Sequence, residues 1–300
     1  AFLPHSTAPQ DQAMNTPLDR RRFVQQASGL FLGGAALAAL SARADEPNNS
    51  MRKALGWRMI QGDLSVEDKL RMIKDVGFAG VEVPAVQADK PIFDPKELAR
   101  ASEKVGVPVH GVTMAGHPDI CAVIDQAAMY GATSVLYVVR ADTSVPFMEH
   151  YRKTQEAIRV GIPRAEEKKV SILIENVWAS FLIEPLTMPR YIDELDSPYV
   201  GAYFDVGNCM RWGWPQHWIQ VLGKRIGKIH IKEYSLKTGM SEGMWKGFDF
   251  PIGEGDIDWA GVREELNKIG FSSWATSEVR GGGRDRLAEI SAEMDRVLAL

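Results

Sequence analysis

The feature that most restricts the fold of this 300-residue chain is a pattern repeated eight times from residue 51 onward. In each repeat a short apolar run is followed by an amphipathic stretch. The apolar runs are rich in Val and Ile and bounded by Gly or Pro, the signature of strands buried on both faces. They fall near 55–59, 80–84, 107–113, 134–139, 171–176, 201–205, 227–232 and 273–278. Helical patterns alternate with them. Ser65-Val66-Glu67-Asp68 opens the first in the manner of a capping box, and Asp94-Pro95 opens the second, which stops at Gly106. The others run near 119–130, 147–168, 187–195, 215–222, 258–268 and 284–299, with Pro163 placed to break the fourth. A doubly wound open sheet would carry a Gly-rich phosphate loop after its first strand, and none is present. Right-handed crossovers between eight such units close an eight-stranded parallel (βα)8 TIM barrel, with its active site at the C-terminal ends of the strands.

Those strand ends carry an unusual set of residues. Strand five, SILIE, ends on Glu175, and strand six, VGAYFD, ends on Asp205. Strand seven, KIHIKEY, carries His230, and strand eight, WATSEV, carries Glu278. Carboxylates are rare in strands and costly to bury unpaired. Three of them converging with one imidazole at one height of a barrel call for a cation. An O,O,O,N donor set favours one divalent metal ion, with Mn²⁺ placed first, Mg²⁺ and Co²⁺ beside it and Zn²⁺ a further option. Around the mouth, Glu82 and His110 are secondary candidates for contact with a substrate or for support behind the ligands, and Arg140 and Trp178 for contact with a substrate. Trp212, Trp214 and Trp245 are candidates for apolar walls, and the stretch from Ser235 to Gly255 is long enough to act as a lid.

The first fifty residues read differently. Asp19-Arg20-Arg21-Arg22-Phe23-Val24 precedes an uncharged run, Ala27 to Leu40, and then Ala42-Arg43-Ala44. A basic region, a short apolar core and a small-x-small end describe an export signal of the twin-arginine type over 1–44, with Met14 a candidate start. A polar linker follows at 45–50, and the catalytic domain is expected to occupy 51–300. Such a protein works in the periplasm or otherwise outside the cytoplasm, with no membrane contact in its mature form. The formal net charge is −4, and removal of residues 1–44, with four arginines and two aspartates, leaves −6. An acidic balance gives a nucleic-acid backbone little counter-charge. Cys121 and Cys209 are too few for a disulfide scaffold and are expected as free thiols.

The motifs IEN at 174–176, FDVGN at 204–208, HIKEY at 230–234, SEV at 277–279 and Gly253-Glu254-Gly255-Asp256-Ile257-Asp258-Trp259, in that order and spacing, resemble the xylose-isomerase-like barrel superfamily. This is the group of sugar phosphate isomerases and epimerases, and the resemblance covers about 51–300. It implies that Glu175, Asp205, His230 and Glu278 hold a metal that chelates two adjacent oxygens of a small sugar substrate. It also implies that Glu175 and Glu278 exchange the proton at the carbon beside the carbonyl, one from each face. Where the ketose epimerases of this group usually carry a substrate-contacting histidine, this chain has Asn208. Where they often carry an arginine it has Leu236, while Lys232 lies closer to the ligand positions. Asn208 and Lys232 are therefore added to the candidate substrate contacts. The resemblance implies an isomerase or epimerase of a sugar or keto-sugar. The alternatives are a metal-dependent lyase or dehydratase, inosose-dehydratase-like or acting on 3-keto-glycosides, and a non-catalytic sugar-binding barrel. Members of the group often associate, so the resemblance admits a homo-oligomer, while the sequence itself leaves the oligomeric state open.

Overall fold

The computed structural model describes residues 51–87, 91–114 and 116–300. The expected export signal and linker lie outside the described residues. Eight parallel strands form one closed barrel in sequence order: β1 Arg52–Gly56, β2 Gly80–Pro84, β3 Val109–Thr113, β4 Ser134–Tyr137, β5 Ser171–Glu175, β6 Val200–Asp205, β7 Ile226–Ile231 and β8 Trp274–Ser277. β1 pairs with β8 through Arg52↔Trp274 to Leu55↔Ser277, which closes the sheet on itself.

Helices cover the outside: α1 Val66–Asp75, α2 Pro95–Val105, α3 Ile120–Tyr130, α4 Phe147–Arg159, α5 Ile162–Lys168, α6 Thr187–Asp193, α7 Pro215–Leu222, α8 Leu236–Ser241, α9 Trp259–Lys268 and α10 Arg284–Leu298. Local chemistry sets their ends. The Ser65 hydroxyl accepts the Asp68 N–H at the start of α1, and Asp94 accepts the Lys96 N–H before Pro95 opens α2. α2 stops at Gly106, which takes a left-handed conformation at φ 72°. The expected single helix over 147–168 is two helices. The break comes at Val160–Gly161, where Gly161 packs against Ile120, and Pro163 sits in the first turn of α5. β1 starts three residues earlier than the sequence suggests. Trp57–Met59, read as strand, is instead a buried 3₁₀ turn leaving it.

Alternate strand residues point into the barrel. Leu136, Leu173 and Tyr203 form a small apolar layer of their own there, apart from the large core between strands and helices. Two bulges adjust the register. β3 carries His110 as an extra residue opposite β2, and β7 carries Gly227 as an extra residue opposite β6. The second bulge brings Asp205 level with His230.

Candidate metal centre and sugar site

Glu175, Asp205, His230 and Glu278 meet at the C-terminal rim, each offering one ligand atom within 4.8 Å of the others. His230 Nδ1 lies 3.0 Å from Glu175 Oε1 and 3.7 Å from both Asp205 Oδ2 and Glu278 Oε2. Three of the four are buried, and Glu278, just past β8, keeps 52% of its side chain exposed. The centre is thus sealed from below and open on the Glu278 side.

Two asparagines hold its floor in place. Asn176 donates to the Asp205 carbonyl and accepts the Asp205 N–H, at 2.9 and 2.7 Å, tying the end of β6 to that of β5. The Asn208 N–H donates to Asp205 Oδ1 at 2.7 Å, and its side chain donates to the Asn176 carbonyl. With Oδ1 so engaged, Asp205 turns Oδ2 toward the other ligands. That oxygen is buried and has no well-formed hydrogen bond, although Lys232 Nζ stands 2.9 Å away.

Below the ligands lies Glu82, in the middle of β2. Its Oε2 is 3.0 Å from His230 Nε2. A carboxylate there accepts the Nε2 proton, so that a cation displacing the proton from Nδ1 would meet a nitrogen lone pair directed at Glu175, Asp205 and Glu278. An imidazole and three carboxylates converging so closely, with the buried Asp205 Oδ2 balanced only by Lys232, fit a divalent cation held by oxygen and nitrogen donors.

The charges respond to this crowding. Burial pushes the Glu175 carboxyl up to about 7 against the pull of His230. Burial also raises Asp205, with Lys232 and His230 opposing it. For Glu278, Lys232 and His230 outweigh desolvation and hold the carboxyl down to about 2. Burial alone would lower His230, but Glu278, Glu82 and Glu175 lift it well above the ordinary imidazole value.

The secondary candidates separate by position. Lys232 is at the centre, hydrogen-bonded to Glu278. Asn208 is buried and gives its amide to Asn176, with Lys232 3.4 Å from its Oδ1. Trp178 stands on the rim, its Nε1 donating to the Asn208 carbonyl at 2.7 Å. Glu82 and His110, offered as substrate contacts or as support, lie inside the barrel, with Glu82 behind His230. His110 stacks on Trp274 at 4.6 Å, reaches Thr276 Oγ1 through Nε2, and meets Lys228 Nζ at Nδ1. Burial, and then the Lys228 charge, push it well below the usual histidine value. Arg140 lies three residues beyond the end of β4, and its side chain is exposed.

The sequence reading passed over two further residues. Lys228 is buried two positions below His230, and burial pushes its ammonium down to about 7. Glu233 is fully buried and accepts four N–H groups: Tyr234 N, Gly253 N, Ile257 N and Trp259 Nε1. It joins the end of β7 to the Gly253–Trp259 turn, two motifs that are visible separately in the sequence. Beside it, Asp256 accepts from Ser235 Oγ and Leu236 N, and its own N–H donates to the Tyr234 carbonyl.

A closed parallel barrel whose described residues gather an acidic, histidine-containing cluster at the C-terminal rim, able to hold a cation, defines the class of protein. Within that class the chain belongs to the xylose isomerase-like TIM barrel family, whose model matches residues 70–299. It is 25% identical over 235 residues to SgbU of Escherichia coli (strain K12), which carries the provisional name L-ribulose-5-phosphate 3-epimerase; the match spans 70% of this chain and 82% of that protein. Among solved structures it resembles the apo 3-keto-D-glucoside 4-epimerase YcjR from E. coli, with TM-score 0.66 and 15% identity over 84% of this chain and all of that one. It also resembles the D-allulose 3-epimerase from Methylomonas sp. in complex with D-allulose, with TM-score 0.64 and 15% identity over 82% of this chain and 96% of that one.

Proposed function

We propose that this chain is a divalent-metal-dependent epimerase of a small sugar or keto-sugar, working by proton transfer at the carbon beside a carbonyl. One observation carries the reading. Glu175 and Glu278, from strands three apart around the barrel, both reach the same point, 3.0 and 3.7 Å from His230 Nδ1. A sugar held there would have two carboxylates, from β5 and from the end of β8, within reach. The relatives named for epimerisation of ribulose phosphate, keto-glucoside and allulose support it as a class.

Glu175, Asp205, His230 and Glu278 would hold the ion, which when bound polarises the substrate carbonyl and stabilises negative charge on its oxygen. One glutamate takes the proton from the carbon and the other returns a proton to the opposite face. Lys232, 2.9 Å from Asp205 and hydrogen-bonded to Glu278, sets the orientation of both carboxylates and offers its ammonium to a substrate hydroxyl. Asn176 and Asn208 keep Asp205 in place throughout. Export through the Arg20-Arg21 signal belongs to the same proposal and points to an unphosphorylated substrate, since sugar phosphates are chiefly cytoplasmic.

The test is elemental analysis of the purified protein beside a Glu175→Gln/Asp205→Asn double variant, followed by incubation with keto-sugars in D₂O. About one equivalent of metal, lost in the variant, with solvent deuterium in an epimeric product, is the expected result. Deuterium uptake accompanied by loss of water or an aglycone would make the enzyme a lyase using the same glutamates. Failure to bind metal after reconstitution would remove the mechanism.

A further inference from the structure

The loops that follow β5, β6 and β7 place an aromatic shelf beside the ligand cluster. Trp178, anchored through its Nε1 to Asn208, meets Trp245 at 4.9 Å and Phe248 at 5.0 Å between ring centroids. The Arg211 guanidinium lies 5.2 Å from the Trp178 ring and 4.4 Å from that of Trp212, and it also contacts the Met244 sulfur. The shelf adjoins the sugar site directly, because Lys232 Nζ, which hydrogen-bonds Glu278, is 5.5 Å from the Phe248 ring.

Packing accounts for only part of this arrangement. Trp178 and Phe248 are half-buried and pack on Tyr234. Trp245 and Trp212, by contrast, leave 66% and 46% of their surface to solvent. Indoles contribute to stability chiefly by burial, so a loop gains little from holding two of them in water. An exposed aromatic surface, Trp245 packed on Trp178 and Phe248 with Trp212 joined across Arg211, at the edge of a polar site marks a place for an apolar partner. Its continuity with the ligand cluster limits what that partner can be, since an occupant of the shelf is within one side chain of a sugar held at the metal centre. A ring joined to that sugar meets both surfaces at once.

We propose that Trp178, Trp245, Phe248 and Trp212 form a second subsite for an apolar or aromatic ring linked to the sugar, which makes the substrate class keto-glycosides of a ring-bearing aglycone, whose sugar ring keeps the carbonyl that the proton transfer needs. This rests on the sugar-site reading above and extends it. The faces of the indoles stack on the ring, while the Arg211 guanidinium, held over two of them, borders the subsite with polar donors.

Binding of two non-reacting probes to the Mn²⁺-loaded protein, followed by tryptophan fluorescence and calorimetry, tests it. Phenyl β-D-glucopyranoside is expected to bind at least about tenfold more tightly than methyl β-D-glucopyranoside. The ratio is expected to fall toward one in Trp245→Ala and to recover in part in Trp245→Phe. A wild-type ratio near one overturns the subsite, as does a ratio that Trp245→Ala leaves unchanged. Tighter binding of glucose 6-phosphate than of the phenyl glucoside overturns it too, by making Arg211 the anchor of a phosphate. The probes do not turn over, so the two readings fail separately. Deuterium exchange without a phenyl preference removes the subsite alone, and a phenyl preference without exchange removes the epimerase alone.

Discussion

Glu82 shows how a buried residue outside a cluster of candidate ligands can orient one of them. It sits 148 positions from His230 in sequence, yet accepts from the nitrogen of that ring that faces away from the other carboxylates. Its carboxylate therefore selects the tautomer and the angle at which Nδ1 meets the centre. Glu82→Gln keeps the shape and removes the charge. Divalent-ion affinity, measured by calorimetric titration, is expected to fall by roughly 10- to 100-fold with the fold intact. An unchanged affinity would show that Glu82 only fills space. The four ligand types are legible in the sequence because each stands at the end of an apolar run, where a charged group is conspicuous. Glu82 is less so. Its role depends on a partner five strands further along the chain, and short-range pattern carries no record of that pairing. Asn208 has the opposite history. Its position suggests substrate contact, and the structure uses its backbone N–H and amide to brace Asp205 and Asn176.

At the scale of elements, helices with a chemical start or stop are readable to within a residue, as α1 and α2 are. Apolar runs that cross from one element to another are not. Trp57–Met59 continues the hydrophobic run of β1, and burial in a 3₁₀ turn satisfies that pattern as well as a strand would. The turn at Gly253–Trp259 has a similar lesson. Its residues suggest a motif, but the reason for its shape is Glu233, which gathers three backbone N–H groups and one indole N–H. Glu233→Ala would leave those donors without their acceptor in a buried place. A loss on the order of 3 kcal/mol in unfolding free energy is expected by urea titration. A change below about 1 kcal/mol would mean that water replaces the carboxylate without cost.

Across the whole molecule, the barrel interior is polar well below the rim: His110, Lys228, Thr276, Tyr203 and Glu82 join strands β2, β3, β6, β7 and β8. His110 contributes to the pH dependence of folding in a definite direction. His110 is held neutral in the folded state, whereas the unfolded chain takes up its proton below the ordinary value of 6.5. The depressed value means that stability is fully present above 6.5 and is lost as the pH falls from there toward the folded value. The slope reaches at most about 1.4 kcal/mol per pH unit. His110→Gln is expected to flatten this acid limb between about pH 6.5 and 5 in denaturation curves, and an unchanged limb would place the proton uptake elsewhere. The molecule is also divided between what is closed and what is added. Glu233 and Asp256 fasten the two ends of the segment from Ser235 to Gly255 to each other and to the barrel. That segment is consequently an exchangeable cassette. Its length and aromatic content can be rewritten by design, changing the aromatic surface beside the centre while the barrel and the Glu175, Asp205, His230 and Glu278 cluster stay as they are.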